Sequence, residues 1–83
     1  MIKIKEDYLT RLVDFGFRPK YDIDTGEISR YYLESIGDTY KYSVIIPVDT
    51  RYIDTVCSNP LAIKYYSTLL FDLQYNGFLE KEV

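Results

Sequence analysis

Hydrophobic and polar positions alternate along this chain with two different periods, and the change between them marks the elements. The clearest stretch is Ser58 to Leu79, SNPLAIKYYSTLLFDLQYNGFL. Ala62, Tyr66, Leu69, Leu70 and Leu73 fall on one stripe of a period of about 3.6 residues, which predicts an amphipathic helix. Both ends are marked. Asn59 suits the N-cap, and Pro60 falls at the first helical position, where its missing donor costs nothing. Gly77 stands where a left-handed residue ends a helix, and Phe78 can fold back on Leu73 as in a Schellman ending.

Ile4 to Gly16, IKEDYLTRLVDFG, predicts a first helix of about three turns. Glu6 and Asp7 sit in its first turn, where the helix dipole favours negative charge. Tyr8, Leu12 and Phe15 share one face with Leu9 beside them. Gly16-Phe17 repeats the later ending, because Leu12 stands to Phe17 as Leu73 stands to Phe78. Ile2 and Ile4 alternate with lysines, so a short N-terminal strand competes with the helix there.

From Phe17 the period becomes two. Phe17, Tyr21 and Ile23 alternate with Arg18, Lys20, Asp22 and Asp24, a strand with one wet face. Pro19 places that strand at an edge or keeps its start irregular. Asp24-Thr25-Gly26 supplies a turn, and a tyrosine-rich strand returns over Glu27 to Glu34. After the Ile36-Gly37-Asp38 turn comes the strongest strand, Thr39 to Ile46. There Tyr40, Tyr42, Val44 and Ile46 share one face, and Lys41, Ser43 and Ile45 the other. Pro47 limits it, and Val48-Asp49-Thr50 turns the chain into a fourth strand, Arg51 to Val56. The expected class is α+β: a two-layer α/β sandwich, order αββββα, with a four-stranded antiparallel meander and both terminal helices on one face.

Composition narrows the function more than the fold. With 83 residues, positions 1–83 are expected to form a single domain. The net charge of −3 and pI of about 4.8 do not favour non-specific attraction to nucleic acid or an anionic membrane. A lone Cys57 rules out an internal disulfide framework and points to a reducing, cytoplasmic location. The opening MIKIKEDY turns charged too early for a signal peptide, and no apolar run reaches membrane-spanning length. No membrane partner is expected.

The absence of histidine excludes Ser-His-Asp, Cys-His and His-ligated metal chemistry. Cys57 has no base in view to activate it. Asp22-x-Asp24-x-Gly26 resembles the start of a calcium loop, but its glycine comes one position early and Leu33 occupies the place of the closing glutamate. A hairpin turn is the better reading. The glycines stand too far apart to cradle a phosphate. The sequence therefore predicts no catalytic residue, no cofactor and no metal.

What remains is ten tyrosines without a tryptophan. Several are interleaved with cations, in Arg30-Tyr31-Tyr32, Tyr40-Lys41-Tyr42 and Arg51-Tyr52. Because Tyr31 and Tyr32 are consecutive, one of them points to each face of the sheet. An outer aromatic patch suits a contact surface, for which Arg30, Tyr31, Tyr32, Arg51 and Tyr65 are the candidates. Its expected use is binding a protein, a second copy of the chain included. The alternative is a nucleic-acid-associated module using the same aromatics with Arg30, Lys41 and Arg51. A minor alternative is an acidic inhibitor of a host DNA-binding protein, drawing on Asp22, Asp24, Glu27, Glu34, Asp38, Asp49 and Asp54.

The opening IKEDYLTRLVDFGF, the hairpin-like VDTRYID and the ending LLFDLQYNGFLEKEV give the chain a texture that resembles small proteins encoded by phages and prophages of Gram-positive bacteria. The resemblance implies a small accessory protein made inside a bacterial host and working by binding. It transfers no site residue.

Overall fold

The structure, a computed structural model, describes residues 2–36, 41–57 and 61–80. A 3₁₀ helix (Glu6–Phe15) is followed by β1 (Arg18–Tyr21), β2 (Ile28–Ile36), β3 (Lys41–Pro47), β4 (Asp54–Cys57) and the helix α1 (Leu61–Tyr75). The strands form one antiparallel sheet in the order β1-β2-β3-β4, so the class is α+β. Pro19 lies in the edge strand β1, where its missing donor faces no ladder partner that needs it. The expected helix start at Asn59 and Pro60, the turn residues Gly37 and Asp38, and Tyr40 lie outside the described residues.

Alternation in β3 decides which side of the sheet is core. Tyr42, Val44 and Ile46 are buried, whereas Lys41 is exposed and Ser43 and Ile45 are half-buried. Tyr31 pairs with Ile46, which puts it on the same inner side. Leu9 and Leu12 of the first helix, Leu69 and Leu73 of α1, and Phe17 and Phe78 join these residues in one core cluster. Among the described residues that core holds no charged side chain. Tyr66 and Leu70 pack partly buried against it, as the stripe on α1 requires.

The first helix departs from the expected α form. Runs of 3₁₀ helix are usually short, yet here one spans 10 residues. The side-chain spacing explains the fit: Leu9, Leu12 and Phe15 follow one another at every third position, and a 3₁₀ helix stacks such residues in line. Leu9 and Leu12 are buried and Phe15 packs against the cluster, so Leu9 belongs to the buried row and Tyr8 to its margin.

Both helices end alike. The Phe17 N–H donates to the Leu12 carbonyl at 3.3 Å and the Gly16 N–H to the Val13 carbonyl at 3.1 Å. The corresponding bonds in α1 run from Phe78 to Leu73 at 2.9 Å and from Gly77 to Gln74 at 3.1 Å. This is the Schellman pattern, and it needs a left-handed residue; Gly16 has φ 90° and Gly77 φ 80°. Phe78 then meets Tyr8 and Phe15 edge-on, with ring centroids 5.0 and 4.9 Å away. The cap of α1 is thereby held against the first helix.

The N-terminal residues read as strand-like, as the alternation of Ile2 and Ile4 allowed. Lys3 bridges Tyr52 and Ile4 bridges Leu79, so this segment joins the β3–β4 connection to the chain's end. Two expected strand boundaries are corrected. β1 stops at Tyr21, and Ile23 lies in the following turn, fully exposed. β4 starts at Asp54 rather than Arg51, because Arg51 has φ 62° and turns the backbone out of the ladder.

Candidate functional site

With the core on one side, the other side of the sheet is open to solvent over β1, β2 and β3. The register places Arg18, Tyr32, Ile45 and Asp54 in one cross-strand row. Lys20 lies opposite Arg30 in the next row, and Glu34 lies opposite Ser43 beyond Tyr32. Together these surround a shallow concavity of about 640 Å³ whose wall includes Tyr21, Tyr32 and Ile45 along with Lys20, Arg30 and Lys41. Lys20 and Tyr21 both line the concavity, and the pairing register shifts between them. The Ser29 hydroxyl donates to the Lys20 carbonyl at 3.1 Å across this irregular point.

The electrostatics of this face oppose those of the chain. Arg18, Lys20, Arg30 and Lys41 outnumber the carboxylates Glu34 and Asp54 on it, while the net charge of the protein is −3. Much of the compensating negative charge lies at the β1–β2 turn, where Asp22, Asp24 and Glu27 bracket Ile23 and are all exposed. That turn is closed locally. The Asp24 N–H donates to Asp22 Oδ1 at 2.8 Å, and the Gly26 N–H donates to the Asp22 carbonyl at 2.8 Å. One Asp22 oxygen is thus engaged by its own backbone, which is the Asx geometry of a turn. Among the described residues no three cysteines or carboxylates converge on a point that could hold a metal ion.

The five sequence candidates do not form one surface. Arg30 and Tyr32 lie together on the outer face. Tyr31, 3% exposed, is in the core, and burial pushes its hydroxyl pKa up, with Tyr21 adding to the shift. Arg51 is a clamp for the chain ends: its Nη1 donates to the Ile4 carbonyl and to Glu80 Oε2, both at 3.1 Å. Its backbone carbonyl also accepts the Ile4 N–H at 2.9 Å. Tyr65 belongs to α1 and stacks on Tyr42, a core-side residue, with centroids 6.3 Å apart and planes 14° from parallel. It therefore sits on the opposite side of the sheet from Tyr32. Of the cations in the nucleic-acid alternative, Arg30 and Lys41 reach the outer face and Arg51 does not.

Lys20, Tyr21 and Ile45 are the members that sequence reasoning left out. Ile45 was legible as the outward partner of Lys41 and Ser43 in β3. Lys20 was legible as the wet-face neighbour of Arg18 in the alternation of β1, whereas Tyr21 lies beyond the register shift, which alternation alone does not supply. The acids of the inhibitor reading also separate: Glu34 and Asp54 lie among the outer-face cations, Asp22, Asp24 and Glu27 gather at the turn, and Asp49 caps the next turn by accepting the Thr50 N–H at 2.8 Å. Asp38 is outside the described residues.

Fold and face together define an α+β domain with an uncovered, cation-ringed sheet surface. Comparison with protein-family models, curated proteins and solved structures gives no match. Among the described residues no helix is long and apolar enough to cross a membrane.

Proposed function

We propose that this chain is a non-catalytic binding module that works through the outer face of its sheet and takes a protein partner with an acidic, apolar-centred segment. The observation that carries the reading is the placement of Tyr32 and Ile45 side by side between strand cations, on a protein whose net charge is negative. A tyrosine next to an aliphatic residue supplies the desolvated centre of a contact, and the surrounding cations steer an anionic partner onto it. A two-layer arrangement, with both helices on the inner side, accounts for why this face has no cover among the described residues. A cytoplasmic accessory protein of a phage or prophage would be used in this way.

A second reading shares the same atoms. Tyr21 and Tyr32 beside Lys20, Arg30 and Lys41 could take a single-stranded nucleic acid, the rings stacking on bases and the cations meeting phosphates. Titration with two defined probes separates the readings: a peptide rich in glutamate around one phenylalanine, and a thymidine oligonucleotide. Amide signals of Arg30 and Ile45 that move with the peptide in the native chain and stay still in the Tyr32→Ser variant support the protein reading. Movement with the oligonucleotide alone, suppressed steeply by salt, supports the second. No response to either overturns the outer face as a binding surface.

A further inference from the structure

The β1–β2 turn and the outer face carry opposite charge and matching apolar content on adjacent parts of one chain. Ile23 is 100% exposed at the turn, an unusual position for a large aliphatic residue in a six-residue hairpin connection that spans 22–27. Asp22 and Asp24 flank it directly, and Glu27 closes the loop, its carbonyl accepting the Asp22 N–H at 2.8 Å. Among the described residues nothing covers Ile23. The concavity beside the loop offers the complement: apolar Tyr32 and Ile45 at its centre, with Lys20 and Arg30 on its wall.

We infer that the outer face of one chain receives the β1–β2 turn of a second copy, Ile23 seating against Tyr32 and Ile45 while Asp24 and Glu27 meet Lys20 and Arg30. This rests on the reading of the outer face as a protein-binding surface and names its partner. The loop follows Tyr21 without a break, and Tyr21 is itself on the groove wall, so donor and acceptor are neighbours in each chain. Two copies related by a two-fold axis then exchange loops reciprocally, and the contact closes instead of propagating into a filament. A standard interface takes about 800 Å² from each partner, roughly an eighth of the chain's surface of 6024 Å². Charge complementarity also fixes the register, because loop against loop or face against face would bring like charges together.

The test uses charge reversal and mixing, read by sedimentation velocity over micromolar concentrations. The native chain is expected to be in monomer–dimer exchange, with the dimer weakened by salt. Ile23→Asp should raise the dissociation constant about tenfold or more. Two charge variants, Lys20→Glu with Arg30→Glu and Asp24→Lys with Glu27→Lys, should each be monomeric alone. Mixed in equal amounts they should form a heterodimer, since each then presents a groove complementary to the other's loop. All four sites are outside the core, and circular dichroism checks that both variants remain folded. A native chain that stays monomeric while the glutamate–phenylalanine peptide still binds the outer face overturns the self-docking and leaves the binding surface standing. Dimers that persist unchanged in both charge variants place the contact elsewhere and overturn the self-docking, and only if the peptide also fails to bind the outer face is the binding surface overturned with it.

Discussion

Tyr31 and Tyr32 are consecutive residues of β2 on opposite sides of the sheet. Tyr31 pairs with Ile46 and is 3% exposed in the core, whereas Tyr32 pairs with Ile45 and stands half-buried in the outer concavity. Removing each ring therefore has a different consequence. Tyr31→Ser should destabilise the fold by about 3 kcal/mol or more, as expected for emptying a buried aromatic site, while Tyr32→Ser should cost less than about 1 kcal/mol. Urea midpoints compare the two directly, and equal losses would mean that both rings are structural.

The buried Tyr31 hydroxyl also sets a pH dependence. Burial raises its folded-state pKa above the ordinary tyrosine value of 10.0, so the folded chain keeps a proton that the unfolded chain releases. Stability is thus unaffected below that value and falls as pH rises through it. Tyr31→Phe should flatten this alkaline decline relative to the native chain. An identical decline in both, followed by chemical denaturation from neutral to strongly alkaline pH, would assign it to other groups.

Gly77 ends α1 with φ 80°, and a Cβ there would meet only Tyr8 Oη at 3.9 Å. Space is therefore adequate, and the cost of Gly77→Ala is the left-handed backbone, about 1 kcal/mol. Gln74→Ala, one turn earlier and exposed, should change little. Stabilisation by Gly77→Ala would show that the helix continues through this point.

Arg51 holds the chain ends through one buried-side and one solvent-side contact. Arg51→Ala should cost about 1–2 kcal/mol, because the carbonyl of the fully buried Ile4 loses a charged donor. Glu80→Gln should cost no more than about 0.5 kcal/mol, since the Glu80 side chain is 44% exposed and the pair is screened. Comparable losses in the two variants would make the ion pair, rather than the bond to Ile4, the stabilising contact.

Much of this architecture was legible in the sequence because it is written in local patterns. The two Gly-Phe endings specify their own hydrogen bonds, and the alternation of Tyr42, Val44 and Ile46 identifies the inner face of β3 without reference to any other strand. The 3₁₀ form of the first helix was harder to read. Tyr8, Leu12 and Phe15 fit an α period, and only the burial of Leu9 shows that the three-residue row prevails. The contact surface was half legible for a related reason. Arg30 and Tyr32 share a face by alternation within one strand, as Arg18 and Lys20 do in the next, but Tyr21 lies beyond a register shift. Arg51 and Tyr65 carried the same residue signature and were drawn elsewhere, one by a left-handed backbone and the other by the far side of the sheet.

A competing surface exists on the solvent side of α1, where Phe71 and Tyr75 are 67% and 81% exposed one turn apart. Its presence makes a residue-level map the most direct test of whether the outer face of the sheet is the contact surface. That map is the change in amide and methyl signals of the native chain as its concentration is raised from low to high micromolar. The account predicts changes at Lys20, Tyr21, Ile23, Arg30, Tyr32 and Ile45, with α1 silent. Changes confined to Phe71, Tyr75 and their neighbours, or a spectrum that does not respond to concentration at all, would contradict it.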